Sequence, residues 1–197
     1  FGGYTGMTPA GFISFAAGLA EKSGLDRGLL HFGGDHLGPQ AWRSAPADEA
    51  MDKARTMMRA YVQAGFTKIH LDCSEGCAGE PAQVGDETAA ARAADLAKVC
   101  EAAAPDPGRL VYVIGTEVPP PGGARAEEDG QGIEPTAPQA ARRTLACHRR
   151  GAAGLGQGYR AGGAAGARVF ADASRPFRHL KPQCAVGGAG GGAADLL

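Results

Sequence analysis

The sequence predicts an α/β protein with parallel strands. Three observations carry that expectation. Short apolar runs alternate with long helical segments in a strand-loop-helix order that occurs three times, the loops after the runs are rich in glycine and proline, and polar residues gather where each run ends. After each helix crosses back, the next strand starts from the same end as the last, so neighbours run parallel.

The first element is a helix in TPAGFISFAAGLAEKSG, where Phe12, Phe15, Ala16 and Leu19 recur at helical spacing. Thr8 is a suitable N-cap, Pro9 suits the first helical position, and Gly24 is a stop signal. LLHFGG then reads as the first strand, ending at Asp35 and His36, and GDHLGPQAW as a turn-rich loop. A long helical pattern from Pro46 is stopped by Gly65. The second unit is FTKIHLDCS, a Gly/Pro-containing loop, and the helix DETAAARAADLAKVCEAAA. The third is RLVYVIGTEV, then PPPGG, then a weaker helix around PQAARRTLACHRR.

Composition divides the chain. Its 32 glycines among 197 residues are about twice the ~7% share of an average protein. Residues 151–197 hold 12 Gly and 12 Ala among 47, with only Asp172 and Asp195 acidic and no apolar period that could face a core. The expected organisation is therefore a folded unit over residues 1–150 and a Gly/Ala-rich tail, disordered or aberrant, over 151–197. A formal net charge of -1 gives no basic surface for phosphate backbones, so no nucleic-acid partner is expected. No apolar stretch approaches the ~18 residues of a membrane span and no secretory leader is recognisable, so the expected setting is the cytoplasm. Five cysteines at irregular spacing read as reduced thiols rather than a disulfide framework. Cys73 and Cys77 have no second pair to complete a zinc tetrahedron. The chain starts at Phe1 rather than Met, as a piece of a longer protein would.

In a parallel α/β fold, chemistry sits at the carboxyl ends of the strands. The residues there are Asp35 and His36, then Asp72, Cys73 and Ser74, then Thr116 and Glu117. The pair in GGDHLGP suits a metal site, with an imidazole as ligand and a carboxylate to orient it or move a proton. It also suits a plainer arrangement, in which Asp35 caps the next turn and His36 bonds a neighbouring backbone group. His70 precedes Asp72 by two residues, so both point to one face of a pleated strand. A lone histidine in an apolar strand reads most simply as a satisfied lining residue, with a ligand role as the alternative. Glu117 would deliver a carboxylate to the mouth of the sheet or pair with a basic loop residue. GGYTGM lacks the Lys-Ser/Thr of a P-loop and the spacing of a dinucleotide turn, so a tight loop is expected there.

GGYTGMTPAGF, GGDHLGPQAW, PADEAM, AYVQAGFTKIHLDCS and VYVIGTEVPPPGG, in this order, resemble the Z subunit of class II D-tagatose-1,6-bisphosphate aldolase. The resemblance covers residues 1 to about 150. It implies a partial (β/α)8 TIM barrel in which Phe1 follows the first barrel strand, strands two to four and their helices are present, and the second half is missing or altered. A frameshift in GC-rich coding DNA, turning valine codons into Gly and Ala codons, is one expected cause of the change near residue 150.

The function implied is that of an accessory, non-catalytic subunit. Such a subunit supports the activity and stability of a catalytic partner in galactitol and N-acetylgalactosamine breakdown, with a sugar bisphosphate as ligand. The competing expectation is an enzyme in its own right, a metal-dependent sugar-phosphate aldolase or C4 epimerase. By the same resemblance Asp35, Asp72 and Glu117 are candidate catalytic residues, Ser74 and Thr116 candidate substrate contacts, and His36 the ligand of a Zn2+ ion that polarises the ketose carbonyl. The zinc aldolases draw further histidine ligands from later strands, whereas only His148 and His179 follow here.

Overall fold

The computed structural model describes residues 6–115, 138–151 and 170–171. Among these residues four parallel strands lie in the order β1-β2-β3-β4: β1 Gly33–Leu37, β2 Lys68–Asp72, β3 Val111–Gly115 and β4 Phe170–Ala171. The helices are α1 Pro9–Lys22, α2 Ala47–Ala64, α3 Asp86–Ala103 and α4 Pro138–Gly151. The parallel α/β expectation is met. Thr116, Glu117 and PPPGG lie outside the described residues, as do Phe1 to Thr5 of the opening loop.

The long helices form where their caps and spacing place them. The Thr8 hydroxyl accepts from the Gly11 N–H at 3.1 Å and Pro9 begins α1. Gly65 ends α2 in the left-handed region, at φ 107°, which an L-residue adopts only at a cost. Ala50, Ala54, Met58 and Val62 of α2 form one buried face. With Leu96 and Cys100 of α3 and with Ile69, Leu71, Tyr112 and Ile114 of the strands they make the core. Pairing is in step from Lys68↔Val111 to Asp72↔Gly115. Ile69 and Leu71 therefore face the helices, and Lys68, His70 and Asp72 the opposite side.

Two local features depart from expectation. The first strand starts at Gly33, late in the LLHFGG run, and Leu29 at the head of that run closes a single helical turn over Arg27–Leu29 that Asp26 caps. On α1 the buried side is Pro9, Ala17 and Ala20, while Phe15 and Leu19 are exposed. The helix thus docks through its small residues, and Phe12, also exposed, lies beside Phe32 and Phe66 at ring separations of 6.4 and 6.2 Å. Phe170 and Ala171, in the Gly/Ala-rich segment, pair in parallel with Val113 and Ile114 as the short fourth strand.

Candidate active site at the strand ends

The site begins with a defect in β1. Gly34 pairs with Ile69, but the next register point is Leu37 with Leu71, so β1 uses three steps where β2 uses two. The extra residue is a β-bulge, and His36 within it has φ 48°, alone among the described non-glycine residues in being positive. Gly34 and Leu37 remain buried on the helix side. Asp35 and His36, although consecutive, can therefore both turn to the side that carries His70 and Asp72. The Gln40 side-chain amide donates to the His36 carbonyl at 2.9 Å, which helps hold this conformation. A non-glycine residue in the left-handed region costs roughly 1–3 kcal/mol and persists where its surroundings enforce it, often at functional sites.

The four side chains form two pairs that cross between the strands. His36 Nδ1 of β1 lies 3.0 Å from Asp72 Oδ2 of β2, and His70 Nδ1 of β2 lies 2.7 Å from Asp35 Oδ1 of β1. The imidazole rings are 4.8 Å apart. Asp72 is fixed in turn by the Ser74 hydroxyl, which donates to Oδ1 at 2.9 Å, and more weakly by the Ser74 N–H at 3.3 Å. Asp35 also accepts from Lys68 Nζ at 2.9 Å. Partial burial pushes the Asp35 carboxyl up, but the hydrogen bonds from Lys68 and His70 and the charge of Lys68 outweigh it and hold the group below its usual range. Asp35 is ionised at neutral pH, and its side chain is 63% exposed whereas that of Asp72 is 2% exposed.

The loop after β2 is a braced platform. The Val84 N–H donates to the Ser74 carbonyl at 2.9 Å, and the Ala78 N–H donates to Ala45 of the β1 loop at 3.1 Å. Glu80 accepts from the Cys77 N–H and pairs with Arg92 of α3; these contacts hold its carboxyl below the usual range. Arg43 of the loop after β1 reaches Glu75 of the loop after β2 at 2.7 Å. Cys73, between Asp72 and Ser74, is buried in the core, and burial pushes its thiol up. The described cysteines, Cys73, Cys77, Cys100 and Cys147, are all free thiols.

Of the expected site residues, the fold brings together Asp35, His36, Asp72 and Ser74; Thr116 and Glu117 lie outside the described residues. The plainer reading of the Asp-His pair does not describe it, since both side chains bond to side chains of β2. His70 is satisfied at Nδ1, but its buried Nε2 has no hydrogen-bond partner among the described residues. Ligand atoms of Asp35, His36 and His70 lie within 4.8 Å of one another, a spacing that can converge on a cation. Lys68, Gln40, Arg43 and Glu75 are additions. Lys68 was detectable, because Lys68, His70 and Asp72 alternate along one face of β2.

Parallel strands whose carboxyl ends carry imidazoles held by carboxylates define an α/β protein with a polar, cation-competent strand-end site. Within that class, the chain belongs to the D-tagatose-1,6-bisphosphate aldolase subunit GatZ/KbaZ-like family, whose model matches residues 1–161. It is 54% identical over 150 residues to the D-tagatose 6-phosphate 4-epimerase of Agrobacterium fabrum, a match covering 75% of this chain and 35% of that protein. It also resembles the crystal structure of a probable tagatose 6 phosphate kinase from Sinorhizobium meliloti 1021, with a TM-score of 0.66 and 48% identity. That match covers 77% of this chain and 34% of the other. The chain thus spans about a third of the length of these relatives. The family expectation is met, and the family match runs on past residue 150 into the Gly/Ala-rich segment. Among the described residues no helix is long and apolar enough to cross a membrane.

Proposed function

We propose that this chain supplies the metal- and proton-handling part of a catalytic site acting at C4 of a ketose phosphate of the tagatose series. The observation that carries the reading is the pair of crossed carboxylate-imidazole contacts, which orients His36 from Asp72 and leaves Asp35 ionised at the open side. Two lines of family evidence support the same bond. Aldol cleavage of a 2-ketose breaks C3–C4, and re-addition of the fragments with the C4 aldehyde turned over inverts C4, so an aldolase and a 4-epimerase share a first step.

In that step the C4 hydroxyl gives up its proton, the C4–O bond becomes a carbonyl, and the C3–C4 electron pair moves to C3 next to the C2 carbonyl. Asp35 takes up and returns protons through its Oδ2, which is not engaged by Lys68 or His70. His36 presents Nε2 to a divalent cation, which when bound polarises the substrate carbonyl. Asp72, braced by Ser74, keeps the His36 proton on Nδ1. Thr116 is the substrate contact and Glu117 a further carboxylate in this reading, whereas Ser74, expected to contact substrate, is buried with its hydroxyl on Asp72 and acts through that residue. The setting is a partial (β/α)8 barrel in the cytoplasm.

A second reading is favoured by the family's description as an aldolase subunit: the chain binds and supports a separate catalytic subunit. One assay separates the two. The chain is incubated with Zn2+ and either tagatose 6-phosphate or tagatose 1,6-bisphosphate, alone and with a catalytic subunit. Turnover alone that His36→Ala abolishes is the expected result. Turnover only with the added subunit, unchanged by His36→Ala, supports the second reading and overturns the first.

A further inference from the structure

We propose that His70 is a second imidazole ligand of the cation held by His36, and that Asp35 is its positioning residue. The inference rests on the reading of His36 as a cation ligand and adds to it. The tautomer of His70 follows from two distances. Nδ1 lies 2.7 Å from Asp35 Oδ1 but 3.4 Å from the His36 backbone N–H, and it cannot donate to the first while accepting from the second. On a ring carrying one proton the shorter contact wins, so that proton sits on Nδ1 and Nε2 keeps its lone pair. That atom is buried, in a side chain 2% exposed, and has no hydrogen-bond partner among the described residues.

A bare acceptor enclosed in protein is unfavourable unless something fills the position. His36 reaches the same state by the same means, with Asp72 on its Nδ1. Each strand therefore supplies one imidazole and the carboxylate that orients the other strand's imidazole. Two Nε2 lone pairs fixed on one side of a sheet, each backed by a carboxylate, are the donor set of a divalent cation that prefers nitrogen. The β1 bulge has a purpose in this arrangement: without the extra residue, Asp35 and His36 would point to opposite sides, and one of the two pairs could not form.

The test uses the full chain and Zn2+ alone. X-ray absorption at the zinc edge counts imidazoles, and titration calorimetry gives affinity for the wild type, His36→Gln, His70→Gln and Asp35→Asn. Expected are two imidazoles in the wild type, loss of at least about 100-fold in affinity for His70→Gln, and about 10–100-fold for Asp35→Asn. Circular dichroism in chelator reports whether each variant folds, and if His70→Gln does not, the wild-type spectrum decides alone. One imidazole, or wild-type affinity in a folded His70→Gln, overturns the role of His70 and leaves the His36 reading standing. No Zn2+ bound by the wild type overturns both.

Discussion

Gly38 follows the bulge and sits against the backbone of Asp72. A Cβ built there would lie 1.7 Å from the Asp72 carbonyl oxygen, far inside any real contact, although its extended φ of 179° suits any residue. Gly38→Ala is therefore a test of space alone. To bring the contact to 3.0 Å, the two chain segments must separate by at least about 1.3 Å. The His36–Asp72 hydrogen bond spans the same segments at 3.0 Å, so a movement of that size takes it past bonding distance. Overpacking costs about 1–3 kcal/mol and loss of a charged hydrogen bond about 1.5–3 kcal/mol. The expected loss is roughly 3 kcal/mol or more, a fall in Tm of about 6–12 °C for a chain of this size. Thermal unfolding with and without Zn2+ measures it, and Zn2+ stabilisation should shrink as well, because the orienting contact on His36 is lost. A variant that melts with the wild type and gains as much from Zn2+ would refute the reasoning.

Other consequences follow from the core. Leu96 is fully buried between α3 and the sheet, so Leu96→Ala should cost about 2–5 kcal/mol in urea unfolding, and a loss below 1 kcal/mol would show that the packing differs. Burial lowers the His148 imidazole on α4 from 6.5 to about 4, with Asp86 partly opposing the shift. A lowered folded value means the unfolded chain binds the proton first, so stability present above pH 6.5 is lost as pH falls toward 4. By pH 4.5 the wild type should lose about 2–3 kcal/mol more than His148→Gln, and parallel losses would contradict this. Burial also pushes the thiol of Cys73 up and that of Cys100 up to about 12, so neither should react with iodoacetamide at pH 8 in the folded chain, while both should in urea.

The fold was readable in the sequence wherever one local rule acted alone. Thr8, Pro9 and Gly65 mark helix ends through backbone hydrogen bonding and glycine's left-handed freedom, and they do so in the structure. The alternation of Ile69 and Leu71 with His70 and Asp72 likewise gave the two faces of β2. The side of α1 was not readable, because its apolar residues girdle the helix and only tertiary packing decides that Ala17 and Ala20 go inward. The start of β1 is not readable either, because Leu29 of the same apolar run closes a turn capped by Asp26.

At the site, residue types pointed to Asp35, His36, Asp72 and Ser74, but the pairing did not follow from spacing. It depends on a bulge, and a bulge is a register relation between β1 and β2 that neither strand encodes by itself. One trace of it is local: Asp35 and His36 stand between Gly34 and Leu37, which breaks strict alternation at the point where the strand must present two polar residues. The second role of His70 was hidden for a similar reason. Whether its Nε2 has a partner depends on which residues of other strands approach it.

The crossed pairs make a direct statement about where two protons sit. Long-range nitrogen–proton NMR of the imidazole rings in the metal-free chain reads this without any substrate. In the singly protonated ring form, His36 and His70 should both carry the proton on Nδ1 and leave Nε2 bare, and Asp72→Asn should disturb the His36 signals before those of His70. Protonated Nε2 on either ring, with Nδ1 bare, would contradict the crossed arrangement and the cation site built on it.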